Sequence, residues 1–141
     1  MKHKLLLDTH PLIKLFAKEE GWESIQKILL YVENGEIDAA ISVVTLTEIY
    51  YNYVHEKRAD LAQTRVDELR YATSIKKLGI DERIAIKAGE FKGKYAVPIV
   101  DAYISATAYY NDSIVLSDDA DFKKITEIKV QSEQEYASTI K

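Results

Sequence analysis

Residues 98–119, PIVDAYISATAYYNDSIVLSDD, decide the fold, because they read as a helix delivering the chain into a buried strand that ends in acid. Pro98 suits a helix start, where its missing N–H costs nothing. The spacing predicts a helix from Ile99 to Tyr110, ended by Asn111-Asp112. Ile114 to Leu116 then forms a short apolar run of the kind buried on both faces of a parallel sheet. Asp101 falls in the first turn of that helix, where free backbone N–H groups favour an anion, and Asp119 falls just past the strand.

The same alternation extends in both directions. Leu5, Leu6 and Leu7 form a buried strand stopped by Asp8, and a helix follows with Pro11 expected at its first position. Trp22, Ile25, Ile28, Leu29 and Val32 recur at helical spacing before an Asn34-Gly35 stop. Ala39 to Val44 is the next strand. Leu46, Ile49, Tyr50, Tyr53 and Val54 make a helix starting near Thr45, with Glu48 in its first turn. Further helices are expected from Ala59 to Lys77 and from Asp81 to Lys92, with a short strand at Leu78 to Ile80 between them. Phe122 to Ile125 reads as a helical turn, Glu127 to Val130 as an edge strand, and residues 131–141 as a frayed or small terminal element.

Strands separated by helices predict an α/β fold: an open, mostly parallel four- or five-stranded sheet flanked by helices. A length of 141 residues fits a single domain spanning 1–141. With 47% hydrophobic and 30% charged residues, the composition is that of a folded chain rather than a disordered one. The absence of cysteine excludes disulfides, thiolate metal sites and a cysteine nucleophile. Lys2 and Lys4 precede an apolar run much too short for a signal peptide, and no run approaches the roughly 18 apolar residues of a membrane span. A cytoplasmic protein without membrane contact is expected.

Asp8, Glu48, Asp101 and Asp119 stand where separate elements begin or end, the arrangement by which carboxylates far apart in sequence hold a divalent ion beside a phosphodiester. A net charge of −4 argues against a broad basic footprint for nucleic acid. Bound cations would offset much of that acid, and Arg58, Arg65, Arg70, Lys76, Lys77, Lys92 and Lys94 offer a positive rim.

Four blocks, LLLDTHPLI, ISVVTLTEI, VDAYISATA and IVLSDDADFKKI, resemble the signature blocks of PIN-domain ribonucleases, particularly VapC-type toxins, and the resemblance runs from Lys4 to Ile125. It implies a PIN-like fold, endonucleolytic hydrolysis of RNA leaving a 5′-phosphate and a 3′-hydroxyl, and Mg²⁺ or Mn²⁺ as cofactor. It also implies a homodimer held inactive by a cognate antitoxin whose carboxyl-terminal segment occupies a groove near the carboxylates. Asp8, Glu48, Asp101 and Asp119 match the acidic residues of the pocket, with Asp8, Asp101 and Asp119 as metal ligands. Thr9 and Ser117 match supporting hydroxyls, and His10 departs from the Asn most often found there.

Other roles stay open for several residues. Ser105, one turn after Asp101, shares its face and suits orienting it or a water. Glu48 also stands at capping-box spacing from Thr45. Among the clustered acids, Asp119 is favoured by the family pattern, Asp118 is a candidate outer ligand, and Asp121 is read as the N-cap of the short helix. Lys92 and Lys94 suit either substrate phosphates or solvated helix-end charges. Tyr50, Tyr53, Tyr109 and Tyr110, among ten tyrosines, are expected to pack or form interfaces rather than stack on bases. A receiver domain would need paired acids near its first strand, and a haloacid-dehalogenase-like phosphatase an Asp-x-Asp; Asp8-Thr9-His10 supplies neither. The nonenzymatic alternative is a PIN-fold module that binds RNA or protein without appreciable turnover.

Overall fold

The computed structural model describes residues 3–140; Lys2 and Lys141 lie outside the described residues. Along the chain run β1 (Lys4–Leu7), α1 (Thr9–Ala17), α2 (Trp22–Glu33), β2 (Asp38–Ser42), α3 (Val43–His55), α4 (Ala59–Arg70) and β3 (Ile75–Leu78). Then come α5 (Glu82–Tyr95), α6 (Ile99–Asn111), β4 (Ile114–Leu116), α7 (Ala120–Lys123), β5 (Lys129–Gln131) and α8 (Glu133–Thr139). The five strands form one sheet in the order β3-β2-β1-β4-β5, and every neighbouring pair is parallel.

The leucines of β1 alternate across the sheet, as strand geometry requires. Leu5 and Leu7 join Ile28, Val32, Ile41, Ile49 and Tyr136 on one side. Leu6 joins Ile104, Ala108, Val115 and Phe122 on the other. Both faces are therefore apolar and covered by helices. The strand order reverses between β1 and β4, since the chain winds outward to β3 and then returns to the other side of β1. Ligand sites of open α/β sheets collect outside the carboxyl ends of strands at such a switch point.

Several expected boundaries shift for local reasons. Asp8 caps α1 by accepting from Thr9 N, so the helix begins at Thr9 and Pro11 is its third residue, still within the turn that needs no intrahelical N–H donors. Ser42, not a residue near Thr45, caps α3 by accepting from Val44 N. Strand β2 thus passes into helix without a loop, and Val43 and Val44 are helical. Helix α4 stops at Arg70 instead of Lys77, because residues 75–78 gain a ladder on β2 from Ile75 opposite Ala39 to Leu78 opposite Ser42. Lys77 Nζ closes that turn by donating to the carbonyls of Ala72 and Ile75, each at 2.7 Å. The terminal element is a helix with a complete capping box between Ser132 and Glu135, and its buried Tyr136 and Ala137 pack in the core that α2 also faces. Among the described residues no helix is long and apolar enough to cross a membrane.

Candidate active site

Backbone pairing carries past the ends of β1 and β4 and fixes the loops that hold the acids. Asp8 N donates to Leu116 O at 3.1 Å, and Ser117 N donates to Gln131 O at 2.9 Å. Asp8 is 5% exposed. Its Oδ1 accepts from Thr9 N at 2.8 Å and its Oδ2 from Ser117 Oγ at 2.7 Å. Ser117 Oγ in turn accepts from Asp119 N at 3.0 Å. One serine hydroxyl therefore ties the first acid to the loop carrying the last.

Glu48 lies in the second turn of α3, where its Oε1 accepts from Thr9 Oγ1; Thr9 Oγ1 also lies 3.4 Å from Thr45 Oγ1. With Ser42 as the cap, the Thr45–Glu48 capping box does not form. Asp101 sits in the first turn of α6, buried, and its Oδ2 has no hydrogen-bond partner among the described residues. Ser105 Oγ, one turn further on, is likewise buried and without a partner. Asp119 is the N-cap of α7: its Oδ1 accepts from Asp121 N at 2.9 Å. Carboxylate oxygens of Asp101, Asp119 and Asp121 come within 4.8 Å of one another.

Burial and mutual repulsion act together on these acids. Burial, reinforced by the charges of Asp8, Asp119, Glu48 and Asp121, pushes Asp101 from 3.8 up to about 8. Burial also raises Asp8 to about 6, with Glu48 and Asp119 adding to it, while the hydrogen bonds from Ser117 and Thr9 oppose the rise. The residues fit a hard divalent cation. They offer carboxylate oxygens alone, one of them buried without a partner among the described residues, and a positive ion would offset the burial and the repulsion that raise Asp101.

Asp8, Thr9, Glu48, Asp101 and Asp119 line one cleft of about 250 Å³ together with His10, Ile13, Tyr51 and Asn52. A larger groove of about 530 Å³ shares His10, Ile13 and Asn52 with it and continues past Phe16, Tyr53, Arg58, Leu61 and Arg65.

The PIN domain family model matches residues 5–128 of this chain. The chain belongs to the PIN domain family. Among curated relatives, this PIN domain is 30% identical over 95 residues to Ribonuclease VapC4 of Mycobacterium tuberculosis, a match spanning 64% of this chain and 73% of that protein. Among solved structures, it resembles VapBC2 of Rickettsia felis, solved bound to a DNA fragment from their promoter, with a TM-score of 0.74, 18% identity and coverage of 92% and 98% of the two chains. A toxin-antitoxin complex from Klebsiella pneumoniae matches with a TM-score of 0.66 and 22% identity over 92% of this chain and 97% of that one.

Within the PIN domain, other expected site residues are placed differently. Asp118 is turned away from the cleft lining and accepts from Lys14 Nζ at 2.7 Å; that hydrogen bond holds its carboxyl below the ordinary range. Asp121 is not the N-cap of α7, because Asp119 takes that place, and it joins the acidic cluster and pairs with Lys124 at 2.8 Å. Lys92 Nζ donates to Val97 O at 3.0 Å and Lys94 pairs with Glu127 at 3.3 Å; neither lines the cleft. Much of the expected basic rim is spent locally, Arg58 on Asp60, Arg65 on Glu68 and Arg70 on Asp67.

The sequence reading missed Tyr51 and Asn52, whose signal was their spacing of three and four residues from Glu48 on one helix. It also missed Lys14, which donates to buried Glu133 as well as to Asp118 and so braces the loop before Asp119 against α8. Burial works against the Lys14 charge, but the hydrogen bonds to Asp118 and Glu133 outweigh it and hold its pKa above the ordinary value.

Proposed function

We propose that this PIN domain is a Mg²⁺- or Mn²⁺-dependent endoribonuclease and the cytoplasmic toxin of a toxin-antitoxin pair. One observation carries the reading: the buried, partnerless Asp101 Oδ2 stands with Asp119 and Asp121 at the switch point of a parallel sheet. Family membership, a relative named as a ribonuclease and a structural neighbour that is a toxin-antitoxin complex support it.

Asp8, Asp101 and Asp119 would hold the metal, with Asp121 beside them. When bound, the cation polarises the scissile phosphate and makes a water nucleophilic near neutral pH. Ser117 orients Asp8, and Thr9 orients Glu48. With Oε1 engaged by Thr9, Glu48 Oε2 is the atom assigned to take the proton of the attacking water. Attack at phosphorus breaks the bond to the 3′-oxygen, which leaves as the 3′-hydroxyl after gaining a proton from solvent; the phosphate stays on the 5′-oxygen. Ser105 Oγ, buried one turn after Asp101 and without a partner among the described residues, would be available to a water held at Asp101. The groove past Phe16 and Arg65 is assigned to the antitoxin's carboxyl-terminal segment, and the exposed stripe Val43, Tyr50 and Val54 on α3 to a second copy of the chain.

The test is incubation of total cellular RNA with purified protein in Mg²⁺ or Mn²⁺, alongside EDTA and Asp101→Asn controls. Discrete cuts that vanish in both controls are expected. Intact RNA from a protein that binds metal and carries no copurified inhibitor would instead assign a PIN-fold binding module.

A further inference from the structure

We propose that Tyr51, backed by His55, is a platform on which a nucleobase of single-stranded RNA stacks beside the scissile phosphodiester. This rests on the ribonuclease reading and adds to it a residue that binds unpaired substrate.

Glu48, Tyr51, Asn52 and His55 fall at i, i+3, i+4 and i+7 on α3, so they share one face of the helix. The first three line the acidic cleft. Tyr51 lies about 4.5 Å further along the helix axis than Glu48, so a base attached next to a phosphodiester held at the carboxylates meets the phenol ring. Tyr51 stacks on His55, with centroids 5.7 Å apart and planes inclined by 21°, and it is 64% exposed. The imidazole thus lies offset beside the ring, nearly parallel to it, and most of the tyrosine stays open to solvent.

Other exposed tyrosines differ in this respect. Tyr109 stands edge-on to Phe91 and Tyr110 with Lys87 Nζ over its ring, and Tyr71 lies under Arg70. Tyr50 belongs to the neighbouring stripe of α3. Among the described residues, Tyr51 is the one tyrosine that lines the cleft. Unpaired RNA is commonly bound through bases splayed onto aromatic rings, and this stacking tolerates any base because each has a π-face. A neutral base also enters a cleft walled by carboxylates without the repulsion that a second phosphate would meet.

The experiment measures KM and kcat for Tyr51→Phe and Tyr51→Ala on an oligonucleotide carrying the wild-type cleavage site. In parallel, 2-aminopurine is placed in turn at each base flanking that site, and its fluorescence is read on binding to the uncleaving Asp101→Asn protein, with and without Tyr51→Ala. The expected result is a rise in KM of about five- to hundredfold for Tyr51→Ala, kcat within about twofold, full rescue by Phe, and quenching at one flanking position that Tyr51→Ala abolishes. An unchanged KM in Tyr51→Ala, or a Phe variant as impaired as Ala, overturns the platform while leaving the nuclease intact. So does a Tyr51→Ala protein that cuts normally but has lost self-association, which would make the ring a subunit contact. A wild-type protein that cuts no RNA overturns the ribonuclease reading and the platform with it.

Discussion

Ser117 Oγ donates to Asp8 Oδ2 at 2.7 Å across 109 positions of sequence, and the same oxygen accepts from Asp119 N. The hydroxyl therefore joins the ends of two adjacent strands at the point where the sheet reverses its order. Both candidate ligands depend on it for orientation.

Replacing Ser117 by Ala leaves a buried carboxylate oxygen and a loop N–H without partners. We expect a loss of about 1–3 kcal/mol in stability by urea denaturation. Metal affinity measured by calorimetry should fall about ten- to hundredfold, as for other groups that orient ligands. Unchanged metal affinity would mean that the carboxylates are held well enough by backbone alone.

The metal-free protein should lose stability as pH rises. Asp101 holds its proton to about 8 when folded against 3.8 unfolded, so the folded state binds more protons between these values. Its contribution is fully present below about 4 and is lost as pH climbs through about 8; Asp8 acts in the same sense up to about 6. Thermal melts in EDTA from pH 5 to 8.5 should show Tm falling, with a shallower slope in Asp101→Asn. Added Mn²⁺ should raise Tm most at the alkaline end. Equal slopes for the two proteins would exclude Asp101 as the source.

Lys14 and Glu133 form a pair with the glutamate 2% exposed, and Glu133 Oε2 has no partner of its own among the described residues. Removing the lysine alone strands a buried charge, so Lys14→Met should cost about 3–5 kcal/mol. Combining it with Glu133→Leu should recover most of that loss. A double-mutant cycle by urea denaturation checks this; additive losses would show that the two side chains do not depend on each other.

Asp121 and Asp118 flank Asp119 but face different duties. Asp121→Asn should weaken Mn²⁺ binding about tenfold, whereas Asp118→Asn, whose carboxylate already answers Lys14, should leave it within about twofold. The reverse order would return Asp118 to the metal shell.

The frame of the site was readable because Asp8, Asp101 and Asp119 lie at boundaries marked by short apolar runs and helix periodicity, and local signals of that kind survive folding. Glu48 was placed a turn too early because Val43 and Val44 look like strand residues, while Ser42 ends the strand and caps the helix in one step. Helix α4 looked longer than it is because nothing local reveals that Ile75 will pair with Ala39. Lys14 meeting Asp118 depends on the assembled sheet and lies beyond any windowed reading.

Strand β1, the first element of the chain, lies in the middle of the sheet and needs β4 beside it before Asp8 has Ser117 to hold it and Asp119 as a neighbour. The acidic centre is therefore absent from any partly folded form in which β4 has not yet joined β1.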